Sequence, residues 1–315
     1  MQKALVLLNM GGPNNTEEIE LFLKNMFNDK NIITTKSDLL RKLIAFMIVK
    51  FRKKTAIQNY KDIGGKSPLS SNTEKLIEKL QKKDTNAFVT YAMRYTPPFS
   101  KDIIKKLKEK EIKEIFLMPL YPHYSTTTTK SSLEDFIEQL QKEGLSAKIT
   151  SSERFYKEDD FNKAVINQIR DEIKDIDTKK YDLIFSAHSL PEKIIEKGDT
   201  YQKEIEEHVT ILSDLLSREN IKFNQIHLAY QSKLGPIKWI GPSLEEKLKK
   251  ISNKNVFIYP ISFVLDNSET VQELHIEYDK IAKNSGYKNY KVFNCLNDND
   301  DFVTFIHNYY IDNNY

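Results

Sequence analysis

His188 is the residue whose type and position most invite chemistry. It follows the apolar run Asp182–Ala187 and precedes Ser189-Leu190-Pro191, a strand-end turn where a polar side chain can meet a ligand. An imidazole with its ordinary pKa of about 6.5 accepts a proton or ligates a metal at neutral pH. The plain alternative is a histidine that only bonds its own turn. A second group is acidic. Glu269, Glu273 and Glu277 recur every four residues, with Asp266 just ahead, so the three glutamates share one helical face. Like charges so spaced cost roughly 0.2–0.5 kcal/mol per pair on an isolated helix, which a cation, a proton or bulk water must offset. The spacing reads as a carboxylate track for divalent metal or protons, or as a solvated acidic face. A third group is aromatic. Met10, Tyr95, Tyr121, Tyr124, Trp239 and Phe263 fall in strand-end loops with Arg94, Ser125 and Lys233. They suit the walls and polar anchors of a site for a flat apolar ligand, or plain packing. His123, in another such loop, is a further candidate. His208, His227, His275 and His307 read as surface or packing residues.

Several chemistries are excluded. Met10-Gly11-Gly12-Pro13 follows the first strand but lacks the third glycine of a dinucleotide loop, and no P-loop occurs. The single cysteine, Cys295, permits no disulfide, Cys-ligated zinc or iron–sulfur cluster. The net charge is +3, from 48 basic and 45 acidic residues, without the basic excess of a nucleic-acid binder. No apolar run approaches the roughly 20 residues of a membrane span. With one cysteine and no signal segment, the sequence points to the cytoplasm. The stretch Leu39–Phe51 mixes apolar and basic residues at helical spacing. It reads as a membrane-surface contact, a cover over a cleft, or a core helix with snorkelling lysines.

The elements that must position these residues repeat. Apolar runs at Ala4–Leu8, Ala87–Ala92, Glu114–Met118 and Ala147–Ser151 predict four strands, and Asp182–Ala187, Gln225–Tyr230, Asn255–Tyr259 and Tyr290–Phe293 four more. Amphipathic stretches between them, including Glu269–Lys283, predict helices, the signature of βαβ units and parallel sheets. Phe116-Leu117-Met118-Pro119 and Phe257-Ile258-Tyr259-Pro260 occupy equivalent places, as a duplication would give. An extra helical block, Thr35–Tyr60, sits in the first half. The expected domains are 1–152 and 153–315, with the junction in Thr150–Asp160. Ligands bind at the carboxyl ends of strands in open parallel sheets, so facing halves would line one cleft with six loops.

At these same residues the chain resembles the ferrochelatase family. The matching segments are Leu8-Asn9-Met10-Gly11-Gly12-Pro13, Tyr60 to Leu69, Met93-Arg94-Tyr95, Tyr121-Pro122-His123-Tyr124-Ser125, Ser186-Ala187-His188-Ser189-Leu190-Pro191, Gln231-Ser232-Lys233-Leu234-Gly235-Pro236, Trp239-Ile240-Gly241-Pro242 and Asp266-Asn267-Ser268-Glu269-Thr270. The resemblance implies an α/β protein of two Rossmann-like chelatase domains, each a four-stranded parallel sheet flanked by helices. It implies insertion of Fe²⁺ into protoporphyrin IX with release of two protons to give protohaem. His188 and Glu269 would bind metal and take the pyrrole protons. Glu273, Glu277 and Asp266 would form a proton or metal path, and Met10, Arg94, Tyr95, Tyr121 and Trp239 would contact the porphyrin. The Leu39–Phe51 block would form a lip of the cleft. Fe²⁺ would be a substrate, with no resident cofactor and no iron–sulfur cluster. The protein would be a monomer, cytoplasmic or peripheral at the inner membrane through a transient contact, with no nucleic-acid partner. Asn267 replaces the family histidine, and His275 is an added one. Chelation of another metal or tetrapyrrole, or a non-catalytic porphyrin carrier, are the competing readings.

Overall fold

The computed structural model describes residues 2–84 and 86–313. Met1, Thr85, Asn314 and Tyr315, which the expected domains include, lie outside the described residues. Among the described residues eight strands form: β1 Lys3–Asn9, β2 Ala87–Met93, β3 Glu114–Pro119, β4 Lys148–Ser151, β5 Asp182–His188, β6 Ile226–Gln231, β7 Asn255–Tyr259 and β8 Asn289–Val292. They build two four-stranded sheets, ordered β2-β1-β3-β4 and β6-β5-β7-β8. Every pairing is parallel. The repeated order is what a duplicated βαβ chain gives, and it bears out the fold expected above. β1 and β5 lie at interior positions and are buried along almost their whole length. Their continuous apolar runs follow from that, since a sheet covered on both faces leaves no side for polar residues.

The chain divides into two compact units, residues Met1–Tyr121, Ser125–Arg154 and Asp298–Tyr315, and residues Pro122–Tyr124 and Phe155–Asn297. Beside a junction two residues later than the expected 152/153, this differs from the expected 1–152 and 153–315 in two places. The final helix belongs with the first unit, and the three residues around His123 belong with the second.

In the first unit, helices α1 Glu18–Phe27, α2 Asp38–Asp62, α3 Leu69–Lys83, α4 Ser100–Glu109, α5 Ser131–Lys142 and α11 Asp300–Asn313 accompany the sheet. Ile103, Ile104 and Leu107 of α4 and Phe136 and Leu140 of α5 pack with Ala4, Val6, Leu8, Ile115 and Leu117. Residues three and four apart on a helix share a face, which is why these positions are apolar. Helix α2 packs on α1 through Ala45, Val49 and Tyr60. It leaves Leu39, Leu43, Phe46 and Phe51 exposed, at 80%, 58%, 60% and 72%. The second unit carries α6 Asp159–Glu172, α7 Glu192–Glu196, α8 Tyr201–Arg218, α9 Leu244–Lys250 and α10 Tyr278–Asn284. Its core joins Ile184, Ala229, Val256 and Ile258 to Leu244, Leu248, Leu274 and Ala282.

The helix expected over Glu269–Lys283 divides. Residues Glu269–Glu277 form a π-helix, which passes into α10 at Tyr278. The Tyr278 N–H reaches the Glu273 carbonyl five residues back. Sequence spacing does not separate this from an α-helix, because residues four apart lie close on either. Such wide turns are rare and gather at functional sites. No described helix is long and apolar enough to cross a membrane.

Candidate active site

His188 is the last residue of β5. Its imidazole Nδ1 lies 2.7 Å from Glu269 Oε2. Glu269 opens the π-helix, and the Asn267 side chain fixes that start: its Oδ1 accepts the Glu269 N–H at 2.7 Å. This is the service an N-cap asparagine gives a helix. Asn267 therefore has a structural task at the position where the resemblance leads one to expect histidine. One turn on, Glu273 Oε1 accepts the Ser232 N–H at 2.8 Å and Oε2 accepts the Ser232 hydroxyl at 2.5 Å. The Gln231 amide donates to Glu273 Oε2 and to the Glu269 carbonyl, both at 3.3 Å. Its own oxygen accepts the Ser186 hydroxyl at 2.7 Å, which sets the amide's direction. Ser232 sits at φ +67°, a left-handed conformation rare for a residue with a side chain. That turn presents both its N–H and its hydroxyl to Glu273.

Electrostatics couple these groups. Burial pushes the Glu273 carboxyl up, the neighbouring Glu269 charge adds to this, and the Ser232 bonds and His188 oppose it, leaving it at about 7. Burial pulls the His188 imidazole down, but the Glu269 and Glu273 carboxylates outweigh it and hold it above 6.5. Glu273, held near neutrality, and His188, held above its ordinary value beside the Glu269 carboxylate, thus have the property required of groups that collect protons from a substrate. Glu277 and His275 are exposed farther along the π-helix.

The Asp266 carboxylate accepts Thr270 Oγ1 at 2.8 Å and Asn297 Nδ2 at 2.6 Å, and so braces the 294–297 turn.

In the first unit, Arg94 and Tyr95, two of the expected porphyrin contacts, have protein partners. The Arg94 guanidinium lies between Asp29 Oδ2 at 3.2 Å and Asp135 Oδ1 at 3.3 Å, and its Nε donates to Ser131 at 3.0 Å. Tyr95 is 2% exposed and its hydroxyl donates to Asp29 Oδ2 at 2.8 Å. Buried charge needs such pairing, so Arg94 neutralises Asp29 and Asp135, and Tyr95 is a core residue. Met10 and Trp239 are half-buried in strand-end loops, and the Tyr121 hydroxyl is 3.2 Å from Ser132 Oγ. Ser125 is buried and caps the short π-turn Thr126–Lys130. Lys233 lies 4.0 Å from Glu246.

His123 serves a different purpose from the one expected. The Asn162 amide donates to the Tyr156 carbonyl, turning its oxygen to His208 Nε2 at 2.8 Å. His208 Nε2 must then carry the hydrogen, and its Nδ1 accepts from His123 Nε2 at 2.9 Å. Both rings are 1% exposed. Burial brings His208 down to about 3 and, with the neighbouring ring, holds His123 well below 6.5. His208, expected as a surface or packing residue, is buried, but nothing in the pattern of α8 reveals its partner in a distant loop. Ser232 and Gln231 were quoted as motif residues without a role. Their signal was the polar Gln-Ser pair at the end of a buried strand.

Comparison with known proteins settles the family. The family model described as Ferrochelatase matches residues 2–313. The chain belongs to the ferrochelatase family. It is 57% identical over 301 residues to the ferrochelatase of a Nitratiruptor species, covering 96% of both chains. It is 51% identical over 303 residues to that of Sulfurimonas denitrificans, again covering 96% of both. Among solved structures, it is similar to SirB from Bacillus subtilis with Fe³⁺, at 11% identity and a TM-score of 0.59, covering 100% of this chain and 96% of the other. CbiX, described as the terminal enzyme of sirohaem biosynthesis in denitrifying bacteria, matches at 10% identity and a TM-score of 0.55, over 98% and 97%. These two likenesses concern the fold. The family assignment makes the chain a metal chelatase.

Proposed function

We propose that this enzyme inserts Fe²⁺ into protoporphyrin IX, with His188 and Glu269 meeting the metal and taking the pyrrole protons. The observation that carries the reading is the 2.7 Å His188–Glu269 pair beside a Glu273 carboxyl held at about 7. Family membership supports the iron and the porphyrin. One Fe²⁺ replaces two N–H hydrogens, so two protons must leave the ring for each ion that enters. Neutral His188 accepts one, and its bond to Glu269 stabilises the imidazolium that forms. Glu273 accepts the second, and the exposed Glu277 carries protons or cations toward solvent. Nitrogen and oxygen donors suit a site that must release its iron, because they hold it less firmly than thiolates. Met10, Tyr121 and Trp239 are the proposed porphyrin contacts, each at the carboxyl end of its own unit's strands. Arg94 is not among them, since its guanidinium already serves two carboxylates. The exposed apolar face of α2, beside Lys42, Lys50, Lys53 and Lys54, supports a peripheral membrane contact in a cytoplasmic protein.

The test is anaerobic. Purified protein is mixed with protoporphyrin IX and Fe²⁺, and the visible spectrum is followed with and without His188→Ala. Haem formed by the wild type and not by the variant supports the assignment. Porphyrin bound without insertion of Fe²⁺, Zn²⁺ or Co²⁺ would sink it and favour a carrier.

A further inference from the structure

The main chain of His188 is held at both ends by side chains from two other elements. Its N–H donates to Ser262 Oγ at 2.9 Å, and its carbonyl accepts the Tyr201 hydroxyl at 2.9 Å. Ser262 and Tyr201 oxygens are themselves 2.8 Å apart. The donor count fixes the directions. Tyr201 has one hydroxyl hydrogen, and it lies on the His188 carbonyl. The Ser262 hydroxyl hydrogen must then lie on the Tyr201 oxygen, because the tyrosine has none left to give. The result is a closed ring: His188 N–H to Ser262, Ser262 O–H to Tyr201, Tyr201 O–H to the His188 carbonyl.

We infer that Ser262 and Tyr201 are positioning residues, which lock the backbone of His188 so that its imidazole stays aligned on Glu269. Tyr201 comes from the first turn of α8 and Ser262 from the loop after β7, while Glu269 opens the π-helix. The ring therefore ties the histidine's strand to the loop that leads into its carboxylate partner. On the β6 side the chain stays bonded past its end, Ser189 N–H to the Gln231 carbonyl at 2.8 Å, but the β7 register ends at Phe185, so Ser262 and Tyr201 take up the His188 N–H and carbonyl where that ladder has stopped. Closed rings of hydrogen bonds are cooperative, each bond polarising the next. Tyr201 is 7% exposed and its ring meets the His123 ring edge-on, with centroids 6.1 Å apart and planes at 87°. The tyrosine is thus itself held by the buried histidine pair.

This inference rests on the reading of His188 as the histidine that meets the metal. The test uses Tyr201→Phe, Ser262→Ala, the double variant and Ser262→Thr, in the full-length protein. Each single variant should lower kcat for Fe²⁺ insertion about tenfold while leaving porphyrin affinity, read by fluorescence quenching, within twofold. The double variant should be no slower than the slower single one, because either change already opens the ring. Ser262→Thr, which keeps the hydroxyl, should restore most of the rate. Effects that multiply to about a hundredfold, unchanged rates, or a parallel loss of porphyrin affinity would each overturn the ring. The ¹⁵N imidazole resonances of His188 give a readout independent of turnover. They should move in both single variants and return in Ser262→Thr. If the wild type makes no haem but these resonances behave so, the proposed reaction fails and the ring stands.

Discussion

Two pairs of buried or half-buried polar groups in the second unit use histidine in opposite ways. At the end of β5, His188 faces carboxylates, its pKa is raised, and Nε2 has no hydrogen-bond partner among the described residues. Elsewhere in the same unit, His123 and His208 face each other, Asn162 and aromatic rings, and both are held neutral. The residue type is the same. What differs is whether a negative charge or only a neutral dipole answers the ring. A histidine beside carboxylates is poised to exchange protons. One beside neutral groups is a rigid polar strut. Chemistry in this fold is therefore decided by the second partner, which comes from a segment far away in sequence.

The largest expected effect that tests this contrast is on the chemical step. His188→Ala should lower haem formation by about 10²–10⁴, the usual worth of a positioned proton acceptor, while porphyrin still binds. His208→Ala should leave kcat within about threefold but lower stability by about 1–3 kcal/mol, because it strips the buried His123 and Asn162 of their partners. Equal losses of activity from the two changes would erase the distinction. Glu273→Gln comes next. It turns part of an acceptor that faces Ser232 and Gln231 into a donor, and it removes a group titrating at about 7. The rate should fall about ten- to hundredfold, and the rise of kcat through neutral pH should flatten.

pH separates the two regions by sign. The imidazolium of His188 is favoured in the folded protein, so its pair with Glu269 contributes stability below pH 6.5. That contribution is lost as pH rises through the raised folded value. His208 behaves oppositely. Its folded pKa of about 3 lies below 6.5, so the unfolded chain binds more protons and stability falls as pH drops from 6.5 toward 3. Urea melts across that window should show acid destabilisation in the wild type that weakens in His208→Gln. An unchanged slope would mean the buried pair takes up protons freely. The smallest effect tests the first unit. Tyr95→Phe should cost about 1 kcal/mol for one lost hydrogen bond to a buried carboxylate and leave the porphyrin KM within twofold. A large rise in KM would return Tyr95 to the ligand.

The strands and their duplication were legible because buried parallel strands read as continuous apolar runs, and the same run-and-loop grammar recurs in both halves. The strand-end place of His188 and the helix-start place of Glu269 were legible in the sequence. The bond of Asp266 to Asn297 was not legible, because proximity in sequence to Glu269 says nothing of a partner 31 residues on. The carboxylate partners of Arg94 and Tyr95 were not legible, because an arginine and a tyrosine in a strand-end loop look the same whether or not Asp29 and Asp135 lie beside them. The π-helix escaped notice since glutamates four apart satisfy either turn. The His123–His208 pair joins residues 85 apart, which no local pattern can encode.

The placement of α11 bears on how the protein is made. Tyr310 stacks edge-on against Phe116 of β3 at 5.7 Å, and Lys79 of α3 pairs with Asp300 at 2.9 Å. The first unit is thus begun by β1 and finished by a helix that follows the whole second unit. During synthesis the second unit can close on itself while the first still waits for α11, with Phe116 uncovered. The half of the enzyme that emerges first is the half completed last. Removing that one helix would unsettle the beginning of the protein more than its end.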